Sequence, residues 1–207
     1  MKKMIQKILH TLKQKKESKK EKQVLMEWES NGCPVPPPHL VKQLTIKEYQ
    51  MKYSYDVFIE TGTYNGAMVK AQKKNFKAIY SIELGLDLFD KAQKKFKRDK
   101  NITILQGDSG KVLPDLLSKI NEPAIFWLDG HYSAGVTARG DKDCPILEEL
   151  DAILSHKDFE HTLLIDDARC FTGERDYPTL EELTNYIKSK NDKYRVDVKH
   201  DIIRCVI

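Results

Sequence analysis

The sequence has 207 residues, of which 40% are apolar and 32% charged. That is enough apolar material for the core of one ordinary domain and excludes wholesale disorder; no apolar run approaches the ~20 residues of a membrane-spanning helix. The net charge of +4 sits at the start: residues 1–22 hold nine lysines against two glutamates, and the rest hold 26 basic and 29 acidic groups. The body therefore gives no charge argument for binding nucleic acid.

In the basic segment Ile5, Ile8, Leu9 and Leu12 fall at helical spacing, with lysines on the other face. Three readings stand: a solvated helix, one that docks on a partner, or one that holds weakly to an anionic membrane surface. The run Cys33-Pro-Val-Pro-Pro-Pro-His39 stops any helix, because proline lacks the amide and restricts its predecessor. Residues 1–33 are thus expected to be a basic helix and linker, and residues 34–207 one domain. The cysteines at 33, 144, 170 and 205 lack metal-ligand or redox spacing and read as free thiols of a reducing compartment. The first residues lack the apolar stretch of a secretion signal. The expected location is the cytoplasm, with peripheral membrane contact through residues 1–22 left open.

A first helix is expected over 40–54, with Val41, Leu44, Ile46 and Tyr49 inward. Short apolar runs then alternate with helical patterns. The predicted strands are Asp56–Glu60, Ala78–Glu83, Ile102–Gln106, Ala124–Asp129 and Thr162–Asp166. Leu86, Phe89, Ala92 and Phe96 mark one intervening helix; Ile146, Leu147, Leu150, Ile153 and Leu154 mark another. Thr179 and Glu182 have capping-box spacing at the start of the last helix. Two final strands, Tyr194–Lys199 and Ile202–Ile207, join through His200-Asp201. The expected fold is α/β: a Rossmann-like, doubly wound, mostly parallel sheet of seven strands with an antiparallel terminal pair.

In such a sheet a ligand sits beyond the carboxyl ends of the strands, where the strand order switches. Acids stand there repeatedly: Glu60, Glu83, Asp108, Asp129, and Asp166 with Asp167. The first strand enters Glu60-Thr-Gly62-Thr63-Tyr-Asn-Gly66, where Gly62 permits a tight turn. This is neither the dinucleotide fingerprint nor a phosphate loop, and Glu60 would repel a pyrophosphate. An acid there suits a ligand with a cationic amino group. Glu83 can accept from both hydroxyls of a ribose. Asp108, beside Ser109, can accept from an adenine amine. Amino acid, ribose and adenine together describe S-adenosyl-L-methionine.

With those motifs in order, residues 34–207 resemble a class I S-adenosylmethionine-dependent methyltransferase. Glu60-x-Gly62-x-x-x-Gly66 is similar to that family's first motif, Glu83 to its second acid, and Gly107-Asp108 to its adenine-side motif. The resemblance implies a cofactor set of Glu60, Gly62, Thr63, Gly66, Glu83, Asp108 and Ser109. Trp127-Leu-Asp129-Gly-His131 and Leu164-Ile-Asp166-Asp167 resemble motif pairs in metal-dependent sugar O-methyltransferases and in the cephalosporin-hydroxylase-like group. They imply that Asp129, Asp166 and Asp167 can hold magnesium, a hard cation suited to oxygen ligands. The competing reading is an Asp-Asp helix cap or turn. His131, aided by Asp129, is the candidate base, although in the sugar enzymes the histidine lies one residue further on. Arg139 and Lys142 in the polar stretch 133–143, and Arg169, are candidates to bind an anionic acceptor.

The expectation is a methyltransferase acting on oxygen of a small molecule or carbohydrate. Two alternatives remain at this level. One is methylation of RNA or protein with the basic segment as an arm. The other is a non-catalytic domain that binds a cofactor or partner and uses that segment at a membrane.

Overall fold

The computed structural model describes residues 19–130, 144–156 and 159–207. A helix over 19–30, α1, precedes the body. It is held there by Trp28, which is buried, meets the His200 ring edge-on and donates from Nε1 to the carbonyl of Pro34 at 2.9 Å. The helix ends before the proline run, with Cys33 in a left-handed conformation. Helix α2, His39–Tyr53, follows. The remaining elements are β1 (Val57–Thr61), α3 (Ala67–Gln72), β2 (Ala78–Glu83), α4 (Leu86–Phe96), β3 (Ile102–Gln106), α5 (Ser109–Leu117), β4 (Ala124–Leu128), α6 (Ile146–Ser155), β5 (Thr162–Ile165), α7 (Leu180–Lys190), β6 (Arg195–Lys199) and β7 (Ile202–Val206).

The seven strands lie in the order β3-β2-β1-β4-β5-β7-β6. The first five are parallel; β7 runs antiparallel to both β5 and β6. The expected sheet is therefore present, with its terminal pair joined by His200 and Asp201, both in left-handed conformations that match hairpin twist. The predicted strands are met to within one residue at each end.

Both faces of the sheet are covered, so its central strands are apolar throughout rather than alternating with polar residues. Ile59, Phe126, Leu128 and Ile165 face Leu113, Leu117, Leu150, Ile153, Leu183 and Ile187 on α5, α6 and α7. Phe58, Ile79, Ile125, Trp127 and Leu164 face Ile46, Tyr49, Val69 and Phe96 on α2, α3 and α4. The inward face of α2 is Val41, Thr45, Ile46 and Tyr49; Leu44, expected inside, is exposed. Leu86 and Leu147 are also exposed although the helical spacing placed them on apolar faces. The last helix has the full capping box between Thr179 and Glu182.

Strand order switches between β1 and β4, where helices diverge to opposite faces. The carboxyl ends of these strands are where the acids gather.

Candidate functional site

The first half of the site is built by β1, β2 and the turn after β1. Gly62 has φ +82, and a Cβ there would lie 2.3 Å from the carbonyl oxygen of Asp129. Both the conformation and the close backbone approach require glycine. Gly62 N donates to Ile82 O, so the turn is tied across to β2. Glu60 is buried, and the Ser81 hydroxyl donates to its carboxyl group. Ser81 Oγ also lies 2.6 Å from Thr63 Oγ1. Burial pushes the Glu60 carboxyl up to about 8, helped by Asp129 and Glu83 and opposed by the Ser81 bond. Glu83 is also buried; one carboxylate oxygen accepts from Tyr64 N at 2.7 Å and the other from Gly85 N at 2.8 Å. Each oxygen keeps a second acceptor position. Gly66, with φ +66, caps α3.

Past β3, Asp108 caps α5, accepting from Gly110 N at 3.0 Å, and pairs loosely with Lys111 at 3.6 Å. Ser109 donates from its hydroxyl to buried Glu149 at 2.5 Å, which ties α5 to α6.

The second half lies past β4 and β5. Carboxylate oxygens of Asp129, Asp166 and Asp167 come within 4.8 Å of one another. This follows from the sheet: Leu128 and Ile165 are register partners on adjacent parallel strands. Lys42 of α2 enters the cluster. Its ammonium donates to the Asp166 carboxylate and lies 3.5 Å from Asp167. Burial works to lower the Lys42 pKa, but Asp166, Asp167 and Asp129 outweigh it and hold the ammonium above its ordinary value. Arg169 donates to Asp167 at 2.8 Å and pairs with Asp201. Asp201, buried in the β6–β7 turn, also accepts from the backbone of the segment after β5, at 2.9 Å from Ala168 N and 2.8 Å from Arg169 N. Asp167 itself is left-handed, with φ 56, and leads a short 3₁₀ turn, Ala168–Cys170.

No protein-family model and no curated protein matches this sequence. Solved structures do match in three dimensions. An O-methyltransferase from Bacillus cereus in complex with SAH aligns at TM-score 0.55 and 12% identity, over 90% of this chain and 90% of that one. TomG, an O-methyltransferase from Streptomyces achromogenes involved in tomaymycin synthesis, in complex with SAM, aligns at 0.56 and 11% identity, over 90% and 88%. The SAH-bound methyltransferase PaMTH1 from Podospora anserina aligns at 0.55 and 14% identity, over 88% and 86%. The fold is the Rossmann-like methyltransferase fold.

Within this methyltransferase fold the sequence-derived residues fall into two groups. Glu60, Gly62, Thr63, Gly66 and Glu83 are brought together around the turn after β1, and Asp108 and Ser109 stand past β3. Asp129, Asp166 and Asp167 form one cluster. Arg169 is at that cluster, tied to Asp167 and Asp201. His131, Arg139 and Lys142 lie outside the described residues. Three residues of the site were not picked out from sequence: Lys42, Ser81 and Glu149. Lys42 is 124 positions from Asp166, in a chain of 35 lysines and arginines. Ser81 and Glu149 were legible only as polar residues inside otherwise apolar periodic stretches, which is the mark of a buried polar partner.

Proposed function

We infer that this protein is a methyltransferase that uses S-adenosyl-L-methionine and methylates oxygen on a small-molecule or carbohydrate acceptor. The observation that carries this reading is that Glu60 and Glu83, at the ends of neighbouring parallel strands, flank the Gly62 turn beside the switch in strand order, in a methyltransferase fold. Three solved neighbours of this fold hold SAM or SAH, and two of them are O-methyltransferases.

The residues fit such a cofactor. Glu60 is a buried carboxyl group at the end of β1, where a cationic amino group would supply the compensating charge that Ser81 does not. Glu83, with both oxygens fixed by backbone amides, keeps acceptor capacity for two ribose hydroxyls. Leu86 and Tyr64 are exposed next to it and offer apolar surface to a purine. The cofactor supplies an activated sulfonium methyl; the protein's task is to hold it in line with the acceptor oxygen and exclude water.

The acid cluster lies on the acceptor side. Asp129, Asp166 and Asp167 would hold magnesium there, since a hard cation takes carboxylate oxygens and keeps several waters. When bound, the ion supplies a positive charge against a developing alkoxide. His131 is the candidate to accept the hydroxyl proton, and Arg139, Lys142 and Arg169 the candidates to meet an anionic acceptor.

The test is calorimetric titration with S-adenosylhomocysteine, in magnesium and then in chelator. Micromolar binding is expected in both. Absence of binding in both would overturn the cofactor assignment.

A further inference from the structure

Lys42 belongs to α2, which precedes the sheet in sequence and is anchored by Val41, Thr45, Ile46 and Tyr49. It reaches the acids from outside the strand ends that supply them. Its side chain is 15% exposed, against 1% for Asp166 and 14% for Asp167, so the pair is largely screened from water. A buried charge pair of this kind is strongly unfavourable to break by deleting one partner. Yet the ammonium holds one Asp166 oxygen, while the other accepts from Asp167 N at 2.9 Å, so a divalent cation would meet no Asp166 oxygen without a donor already on it. A metal and an ammonium on the same carboxylates would repel each other at contact distance.

We propose that Lys42 is a built-in counter-cation of the Asp129/Asp166/Asp167 cluster, and that it competes with a divalent metal for Asp166 and Asp167. The metal-free cluster is then held closed by α2. A divalent ion enters only when the Lys42 ammonium withdraws, and its four-carbon stem gives it the reach to do so. Arg169 does not play this part, because its guanidinium is shared with Asp201. The functional meaning of the exchange rests on the metal-assisted reading above; the competition itself does not.

The experiment is Mn2+ binding to the full chain, followed by electron paramagnetic resonance, for the natural protein, Lys42→Met and Lys42→Arg. Lys42→Met is expected to bind Mn2+ at least tenfold more tightly than the natural protein, and Lys42→Arg no more tightly. Equal affinity in Lys42→Met, or no Mn2+ binding by any of the three, would overturn the proposal. A second measurement needs no variant. Saturating Mn2+ should increase labelling of the Lys42 amine by an acylating reagent, read by peptide mass spectrometry; unchanged or reduced labelling would count against the exchange. The same samples are titrated with S-adenosylhomocysteine. Tighter Mn2+ binding without S-adenosylhomocysteine binding would support the exchange and sink the methyltransferase reading. The reverse pattern would sink the exchange and leave that reading standing.

Discussion

The two halves of the candidate site are made of the same residue type and differ in the partners that face it. Around β1 and β2, Glu60 and Glu83 face hydroxyl and amide donors: Ser81, Tyr64 N and Gly85 N. Past β4 and β5, the aspartates face cations, Lys42 and Arg169. Neutral donors leave a carboxyl group buried without a compensating charge, and Glu60 is accordingly driven toward protonation. Asp166 and Asp167 have charged partners in Lys42 and Arg169, although burial and the neighbouring Asp167 still hold the Asp166 carboxyl above its ordinary value. On the proposed reading the first half receives a cationic ligand, and the second exchanges one cation for another.

The comparison breaks most completely at the turn that joins the halves. Gly62→Ala puts a Cβ against the Asp129 carbonyl in a left-handed conformation. The expected cost is roughly 3 kcal/mol of stability from conformation and overlap together, with loss of S-adenosylhomocysteine binding. Chemical denaturation and calorimetry check it; near-normal values for both would show that the turn is not where the halves meet.

A smaller effect is confined to the first half. Glu83→Ala should weaken S-adenosylhomocysteine by roughly 1.5–3 kcal/mol, the usual worth of hydrogen bonds to a charged group. Unchanged affinity would remove the ribose from Glu83. On the other side, Asp166→Asn should lower magnesium-dependent activity by roughly 10–100-fold, the scale seen when a metal site loses a supporting group. Cofactor affinity should stay within about twofold if the halves are independent in binding. Equal activity in magnesium and in chelator for the natural protein would end the metal reading.

The finest test uses pH. Free Glu60, at about 8, is protonated at neutrality, and a cationic amino group beside it favours the carboxylate. Binding then releases a proton, so affinity should fall as pH falls from about 7.5 to 6, by at most about tenfold per unit. Glu60→Gln should flatten that dependence. The linkage to stability has the matching sign. An acid whose folded pKa is raised binds more protons in the folded state, so its contribution falls as pH rises from the ordinary 4.5 to about 8, then levels off. A natural protein with flat affinity over this range would mean that Glu60 does not meet the charge.

The sheet and the first half of the site were legible in sequence because both rest on local signals. Strand and helix periods are written in neighbouring residues, and the acid-turn-glycine run after β1 is a single short segment. The acids past β4 and β5 were legible for the same reason: each ends an apolar strand. What the cluster does with its charge was not. Lys42 reaches Asp166 only after α2 packs on the sheet, and nothing in the local pattern distinguishes it from Lys47, which is exposed five residues on. Leu44, Leu86 and Leu147 erred in the opposite direction. Helical spacing named them as inward, but a helix buries only the stripe its neighbours cover.

The hairpin turn at Asp201 adds a consequence about timing. That residue lies 32 positions beyond Arg169, yet it fixes the backbone of Ala168 and Arg169 next to the acids. During synthesis Ala168 and Arg169 leave the ribosome before Asp201, their anchor, exists. The segment after β5 can take its final course only once β7 has slotted between β5 and β6. The segment beside Asp166 and Asp167 then settles after the turn at Gly62, whose backbone tie runs to Ile82 on the nearby strand β2.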